Sequence, residues 1–177
     1  MHLQCDVCVV GNGAIGKVAA LGFAQAGQSV TLLSPPAGPP NGSPVTQPAG
    51  WDVRVYALNH VAHDLLSSVK VWGALDAARI QPVDAMDVNG DGDQNAGHLA
   101  FDAYGARVGA LAWIVEDANL NQALDAARRF APNLRIVSGR ATALRVDSTN
   151  ATVQLDNGDT LGASLLVGAD GGQSWVR

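Results

Sequence analysis

Six residues near the N-terminus, Gly11-Asn12-Gly13-Ala14-Ile15-Gly16, follow a short β-branched apolar run and open an Ala-rich amphipathic stretch that stops at Gly27. The chemistry such spacing can do is to hold a pyrophosphate. Between a strand and a helix, Gly11 makes the tight turn, Gly13 lets a phosphate approach the backbone, and Gly16 lets helix and strand touch. The helix N-terminus adds unpaired N–H groups and a positive dipole end, so Ala14 and Ile15 in its first turn count with the glycines as dinucleotide-binding candidates. About 20 residues on, a dinucleotide site ordinarily carries an acid for a ribose hydroxyl. This chain has Ser34 there, whose hydroxyl can hydrogen-bond a ribose less strongly than a carboxylate.

Three other groupings invite a chemical reading. Cys5 and Cys8 form a Cys-x-x-Cys, but they sit in what reads as a buried strand, where residues three apart point to opposite faces. With no second cysteine pair to complete a zinc tetrahedron, plain core cysteines are expected. His60 and His63 share a helix face without an evident third ligand and read as solvent-facing. Asp87-Val88-Asn89-Gly90-Asp91-Gly92 matches the opening of a calcium loop, yet its twelfth position is His98 and its flanks read as strands, so a hairpin turn is the better account.

The elements that must position the glycine-rich turn follow from periodicity. A strand over 5–10, the turn, a helix ending at Gly27 and a strand over 29–33 make a βαβ unit with parallel strands. Residues 34–50 hold six of the eight prolines, three glycines and no charge, which predicts a mobile loop. Extended chain over 51–58 leads to an amphipathic helix over 58–68 and a short one near 72–78. A hairpin with a long turn is expected over 83–101. A helix then opens at Glu116-Asp117, with Leu120, Ala123, Leu124, Ala127 and Phe130 on one face, and ends before Pro132. Strands over 134–138, 141–147 and 151–156, a type I′ turn at Asn157-Gly158 and a strand over 165–167 close the chain.

Composition bounds the class. A length of 177 residues allows one domain or one and a piece of another at roughly 100–200 residues each. With 47% hydrophobic residues a folded core is expected, and the net charge of −5 argues against a general binder of nucleic acid or of anionic membranes. No apolar run approaches the roughly 18 residues of a spanning helix, and the first residues lack the basic start of a signal peptide, so a cytoplasmic protein is expected.

Four stretches taken in order and spacing resemble the flavin-dependent aromatic hydroxylases, and within them the ubiquinone-biosynthesis (2-polyprenyl-phenol) hydroxylase branch. They are Gly11 to Gly16; Asp52-Val53-Arg54-Val55-Tyr56-Ala57-Leu58, similar to Asp-x-Arg-x-x-Ala-Leu; Ile114-Val115-Glu116-Asp117, similar to the start of a Val-Glu-Asn-Arg-x-Leu-Gln helix; and Asp170 to Arg177, matching Asp-Gly-x-x-Ser-x-x-Arg. The resemblance implies that Arg54 reaches the FAD phosphate and flavin region, that Asp170 and Gly171 lie near the FAD pyrophosphate, and that Leu120 and Asn121 face the flavin. Ala118, Asn121 and Ser34 depart from the branch's Arg, Gln and acid.

What the resemblance implies for the whole is an α/β, Rossmann-like FAD-binding domain with an added antiparallel β-meander over 1–81 and 105–177, truncated. Residues 82–104 would be a hairpin of a second, substrate-binding domain. The implied activity is ring hydroxylation of a polyprenylated phenol in ubiquinone synthesis through a C4a-hydroperoxyflavin, with FAD as cofactor and NAD(P)H as reductant, the 177 residues alone being inactive. No catalytic side chain is then expected, because the flavin carries the chemistry. A lipid substrate implies peripheral association with the inner membrane, and an unpartnered hairpin implies disorder or pairing with another chain, such as a homo-oligomer. Two rivals stand beside this reading: an NAD(P)-binding oxidoreductase domain, and a non-catalytic fragment that keeps the fold without binding flavin.

Overall fold

The computed structural model describes residues 2–36, 52–92 and 97–177. The expected mobile loop lies outside the described residues apart from its first three positions. The described chain forms two compact units, one of residues 1–50 and 121–177, the other of residues 51–120.

The first unit is built on a six-stranded sheet. Strand β1 (His2–Val10) runs into helix α1 (Ala14–Gln25) and returns as β2 (Val30–Ser34), parallel to β1 with Val9 opposite Leu32. α1 buries Gly16, Lys17, Ala20, Leu21 and Ala24, the spacing of one helical stripe. It ends in a left-handed Gly27 (φ 87°), whose N–H reaches Ala24 O at 3.0 Å while Gln28 N reaches Phe23 O at 3.1 Å. That closure satisfies carbonyls a helix end leaves orphaned, and glycine adopts the required φ without a Cβ clash.

The long-range partners of this unit come from the C-terminal third. β8 (Leu134–Ser138) adds to β2 in parallel, with Ser34 opposite Ser138, and β11 (Thr160–Gly168) adds to β1 in parallel, with Val9 opposite Val167. β9 (Ala141–Val146) and β10 (Ala151–Leu155) continue as an antiparallel meander, giving the order β8-β2-β1-β11-β10-β9. The β1–β2 centre is buried on both faces, which is why Val7-Cys8-Val9-Val10 is an unbroken apolar run and Val30 to Leu33 are all buried, Thr31 among them. One cluster joins Val7, Val9, Val30 and Leu32 to Ala20 and Ala24; the other joins Cys8, Val10 and Leu33 to Val153, Leu155 and Leu161.

The second unit holds β3 (Val55–Leu58), α2 (His60–Ser68), β4 (Ile80–Val83), β5 (Ala85–Asn89), β6 (His98–Asp102), the single turn α3 (Ala103–Ala106), β7 (Ala112–Glu116) and the start of α4 (Asp117–Ala127). β7 lies between β3 and β4, antiparallel to both. β5 and β6 pair antiparallel as a separate two-stranded hairpin, with Asn89 opposite His98 and Gly90 N bonded to Gly97 O at 2.8 Å. The Asp87–Gly92 run is thus a strand leading into a hairpin turn. Met86, Val88, Leu99 and Phe101 share one exposed face of it. Asn59 caps α2 by accepting from Ala62 N at 3.0 Å.

Several expectations need correction. The helix expected near 72–78 is two single 3₁₀ turns, Trp72–Ala74 and Ala77–Arg79, because Leu75 between them is extended (ψ 144°) and Asp76 caps a fresh start by accepting from Ala78 N. The Asn157-Gly158 connection is not type I′. Asn157 is not in the left-handed region, Gly158 alone is (φ 84°), and the bonds Gly158 N to Leu155 O and Leu155 N to Asp159 O define a three-residue loop with the glycine at its bulge. Phe130 is 87% exposed rather than on the buried stripe of Leu120, Ala123 and Leu124, since the last turn tightens to 3₁₀ and rotates it away.

His60 and His63 do share a face, His60 exposed as expected and His63 half-buried, and both rings are engaged. The His63 ring stacks on Trp113 (4.7 Å between centroids) and meets Trp72 edge-on at 4.4 Å, while His60 meets Trp113 edge-on and bonds Ala110 O at 2.8 Å.

Cys5 and Cys8 do not diverge to opposite faces either: both pack into the apolar cluster of β10 and β11, with Cys5 Sγ donating to Gly162 O at 3.6 Å. Burial, with the Cys5 sulfur adding to it, pushes the Cys8 thiol up to about 12. Because the thiolate is the reactive form, a thiol reagent at pH 8 should modify Cys5 at least about tenfold faster than Cys8 in the folded protein, and the two alike in denaturant. Mass-spectrometric mapping of the labelled peptides checks this; equal rates in the native state would count against the burial of Cys8.

Candidate functional site

The turn after β1 is held from both sides. Gly11 N donates to Leu33 O of β2 at 2.9 Å, and Ala169 N, just past β11, donates to Val10 O at 2.8 Å. Gly11 is left-handed (φ 115°), and a Cβ there would run into the carbonyl of Ala169. A Cβ on Gly16 would run into Gly11 O, so the third glycine is where helix and turn touch. Gly13 differs: a Cβ there would meet nothing within 4 Å. Gly13 also stands at the helix N-cap with no side-chain cap, and the first turn of α1 carries no acid, so its N–H groups remain available to an outside anion. Ala14 is half-buried in that first turn and Ile15 is 79% exposed beside it.

These glycines front a cavity of about 460 Å³. Gly11, Asn12, Gly13, Arg140, Asp170, Gly171 and Trp175 are among its lining residues, all from the six-stranded unit. It opens where β1, β2, β8 and β11 end at their carboxyl edges, the crevice in which open α/β sheets take ligands. Ser34 stands at the end of β2; its hydroxyl accepts from Asn12 Nδ2 and donates to Pro35 O, each at 3.2 Å. Asn12 Oδ1 is buried with no partner, an acceptor left unsatisfied beside the cavity.

The Asp170–Arg177 run closes on itself. Asp170 Oδ1 accepts from Ser174 Oγ at 2.6 Å, and Oδ2 accepts from Trp175 N at 2.6 Å and Val176 N at 3.2 Å. Arg177 completes the loop by donating from Nη2 to Gly172 O at 2.9 Å. Gly171 is left-handed (φ 92°) and faces open space. Burial raises the Asp170 carboxyl, but the bonds from Ser174, Trp175 and Val176 outweigh it and hold the group below the usual carboxylate range. Its oxygens thus shape a wall of the cavity rather than reach into it.

Asn121 is not among the lining residues. Its Oδ1 accepts from Lys17 Nζ at 2.9 Å, and the same ammonium pairs with Asp125 at 3.0 Å, so the nearly buried Lys17 ties α1 to α4. Arg54 belongs to the other unit and is described there alone. Its guanidinium lies 5.7 Å from the centroid of the Tyr56 ring, and the Tyr56 hydroxyl donates to Asp117 Oδ1 at 2.8 Å. Asp52 accepts from both Arg54 N (3.0 Å) and Ala118 N (2.8 Å), binding the approach to β3 onto the first turn of α4. In the Asp-x-Arg-x-x-Ala-Leu stretch, the aspartate is a clamp and the arginine is exposed.

Sequence reasoning missed Arg140 and the orphaned acceptor of Asn12. The only signal for Arg140 was its place just after the strand over 134–138, and that counts only once this strand is known to lie beside β2.

No family model matches the chain. Among solved structures it shares its fold with PqsL, a probable FAD-dependent monooxygenase from Pseudomonas aeruginosa, at a TM-score of 0.71 and 19% identity, over 98% of this chain and 44% of that one. The fold they share is α/β with a mostly parallel central sheet. In sequence the chain is 32% identical over 175 residues to the 3-demethoxyubiquinol 3-hydroxylase of Escherichia coli, covering 97% of this chain and 42% of that protein. It is 28% identical over 181 residues to the mitochondrial ubiquinone biosynthesis monooxygenase COQ6 of Drosophila melanogaster, covering 97% of this chain and 37% of that one. These relatives are enzymes, ubiquinone-biosynthesis hydroxylases, and an N-terminal portion of such a monooxygenase fits the chain, which spans about two fifths of their length. Among the described residues no helix is long and apolar enough to cross a membrane.

Proposed function

We propose that this chain is the FAD-binding part of a flavin-dependent monooxygenase that hydroxylates the ring of a polyprenylated phenol in ubiquinone biosynthesis, with NAD(P)H as reductant. The observation that carries the reading is the cavity at the carboxyl edge of the parallel strands. Its glycine-rich turn leaves backbone N–H groups uncapped and keeps open space at Gly13, and Asn12 supplies an unsatisfied acceptor beside it.

Those features suit an adenine dinucleotide. Gly11, Gly13 and the first-turn N–H groups of Ala14 and Ile15 would hold the pyrophosphate, with Gly16 keeping helix and turn in contact. Ser34 would meet the adenosine ribose, and Gly171 would leave room for the backbone to approach the dinucleotide beside the wall set by Asp170. Arg54 and Asn121 would act toward the flavin, Asn121 with its carbonyl oxygen already engaged by Lys17. FAD, when bound, supplies the oxygen-transfer chemistry, and the chain's own residues bind and orient it.

Ring hydroxylation is proposed for an enzyme of the relatives' full length, the 177 residues contributing binding without turnover. Residues 82–104 would belong to its substrate domain, the Met86–Phe101 face taking up further sheet or a second copy. The lipid tail of the substrate would draw such an enzyme to a membrane surface.

The test is an absorbance spectrum of the purified protein, followed by titration with FAD and with NADH. Co-purifying flavin or saturable FAD binding is the expected result. Binding of NADH alone would favour an NAD(P)-binding oxidoreductase domain, and binding of neither a scaffold without a cofactor.

A further inference from the structure

The edge where β2 and β8 end places a cation where the end of β2 has no acid. Strand β2 finishes in Ser34 instead of an acid, and Gly139 N, at the start of the β8–β9 connection, donates to Ser34 O at 3.0 Å. The next residue, Arg140, lines the cavity. Its backbone is fixed by Asp156, whose N–H donates to Arg140 O at 2.9 Å and whose Oδ1 accepts from Arg140 N at 3.2 Å. Its side chain is exposed, and among the described residues the guanidinium makes no hydrogen bond or ion pair.

Asp170 is the one acid lining the cavity among the described residues, and both its oxygens are taken by Ser174, Trp175 and Val176. Among the described residues that line it, the adenosine end therefore has a free cation and no free carboxylate. An acid at the end of β2 selects a 2′-hydroxyl, because it accepts that hydroxyl's proton and repels a phosphate in the same place. With the acid replaced by a serine whose hydroxyl is already spent on Pro35 O, that repulsion is gone, and the planar fork of Arg140 in the lining offers two parallel N–H groups to phosphate oxygens.

The geometry points to a second specificity in this cavity: Arg140 makes its adenosine end a receptor for a 2′-phosphate, so that 2′-phosphorylated adenosine nucleotides bind here in preference to their unphosphorylated counterparts. This rests on reading the cavity as an adenine-dinucleotide site and adds to it a ligand class, the 2′-phosphoadenosine nucleotides. Such ligands compete with FAD for the same crevice, since FAD carries no phosphate at that position.

Calorimetric titration of the 177-residue protein with 5′-ADP and with 2′,5′-ADP tests this, alongside the variants Arg140→Gln and Arg140→Glu. Arg145→Gln, an exposed arginine on β9 away from the lining, serves as the control. The 2′-phosphate is expected to tighten binding about tenfold. Read as the ratio of 2′,5′-ADP to 5′-ADP affinity within each protein, the gain should vanish in Arg140→Gln, reverse in Arg140→Glu and survive in the control. Because the Arg140 side chain is exposed and unpartnered, these variants keep the fold, and matched melting curves confirm it. If 5′-ADP binds but the 2′-phosphate brings no gain, or the gain persists in Arg140→Gln, the inference fails while the dinucleotide reading stands. If neither nucleotide binds, the dinucleotide reading itself fails and the inference with it.

Discussion

Replacing Gly16 with alanine is expected to cost the protein about 3 kcal/mol of stability or more, whereas the same change at Gly13 should cost about 1 kcal/mol or less and weaken dinucleotide binding instead. The contrast follows from what each new methyl would meet. At Gly16 it would be driven into Gly11 O, a backbone atom that cannot swing aside as a side chain can. Gly11 cannot retreat easily, since its N–H is bonded to Leu33 O and its own Cα lies against the Ala169 carbonyl. The strain therefore spreads through the contact between β1, α1 and the exit of β11. For a chain of this size a loss of that order lowers Tm by about 10 °C. Gly11→Ala should be at least as damaging, because it adds a left-handed φ that an L side chain disfavours.

At Gly13 the backbone (φ −77°, ψ 177°) suits any residue and the space beyond is empty. The methyl then occupies the approach a pyrophosphate would use, and FAD affinity should fall at least tenfold, about 1.4 kcal/mol. Melting curves and FAD titrations of the three variants decide the matter. A Gly16→Ala protein with the parent's Tm, or a Gly13→Ala protein that binds FAD as the parent does, would contradict the assignment of these positions.

The second large effect is expected at Asp170. Alanine there removes the acceptor of three donors at once, Ser174 Oγ, Trp175 N and Val176 N, and the segment that ends in Arg177 loses the tie that curls it back. Those donors are near enough to solvent to be rehydrated, so the loss is about 1–2 kcal/mol rather than three full buried bonds. Hydrogen exchange should show residues 174–176 losing protection while β1 and β2 keep theirs. Since Gly171 and Trp175 line the cavity, FAD affinity should fall with it.

The same carboxylate gives a pH signature. Its folded pKa lies below the ordinary carboxylate value, so its contribution is fully present above pH of about 4 and is lost as pH falls through the lower folded value. Asp170→Asn keeps one acceptor but cannot titrate. The parent should therefore lose stability more steeply than the Asn variant as pH falls below about 4, with the two curves parallel above that. Identical acid limbs would show that the carboxylate contributes nothing to folding.

How much of this was legible beforehand depended on the range of the interactions. The β1–turn–α1–β2 unit could be read because every cue in it is local: β-branched residues before the glycines, a 3.6-residue stripe after them, a glycine stop at Gly27. Strands over 134–138, 141–146 and 151–155 were legible for the same reason. β4 and β7 were not. Ile80–Val83 contains a proline and Ala112–Glu116 has no alternation, and each is a strand only because β7 finds β3 and β4 as partners far away in sequence. Local reading also misplaced Phe130, whose helical register fails in a last turn that tightens, and Asn157, whose turn type is set by the bulge the two strands require.

For the site the division falls in the same place. The amino-acid sequence by itself determined the glycine-rich turn, its pairing with a helix N-terminus, the serine where an acid is usual and the Asp-Gly-x-x-Ser-x-x-Arg run, because all of these are contiguous patterns with a backbone consequence. Only the tertiary structure decided that Asp170 spends its carboxylate on its own C-terminal turn and that Asn121 turns its carbonyl to Lys17. It alone put Arg140 beside Ser34. Residues 104 positions or more apart become neighbours through parallel strand pairing, and that register is fixed by which faces the sheet buries.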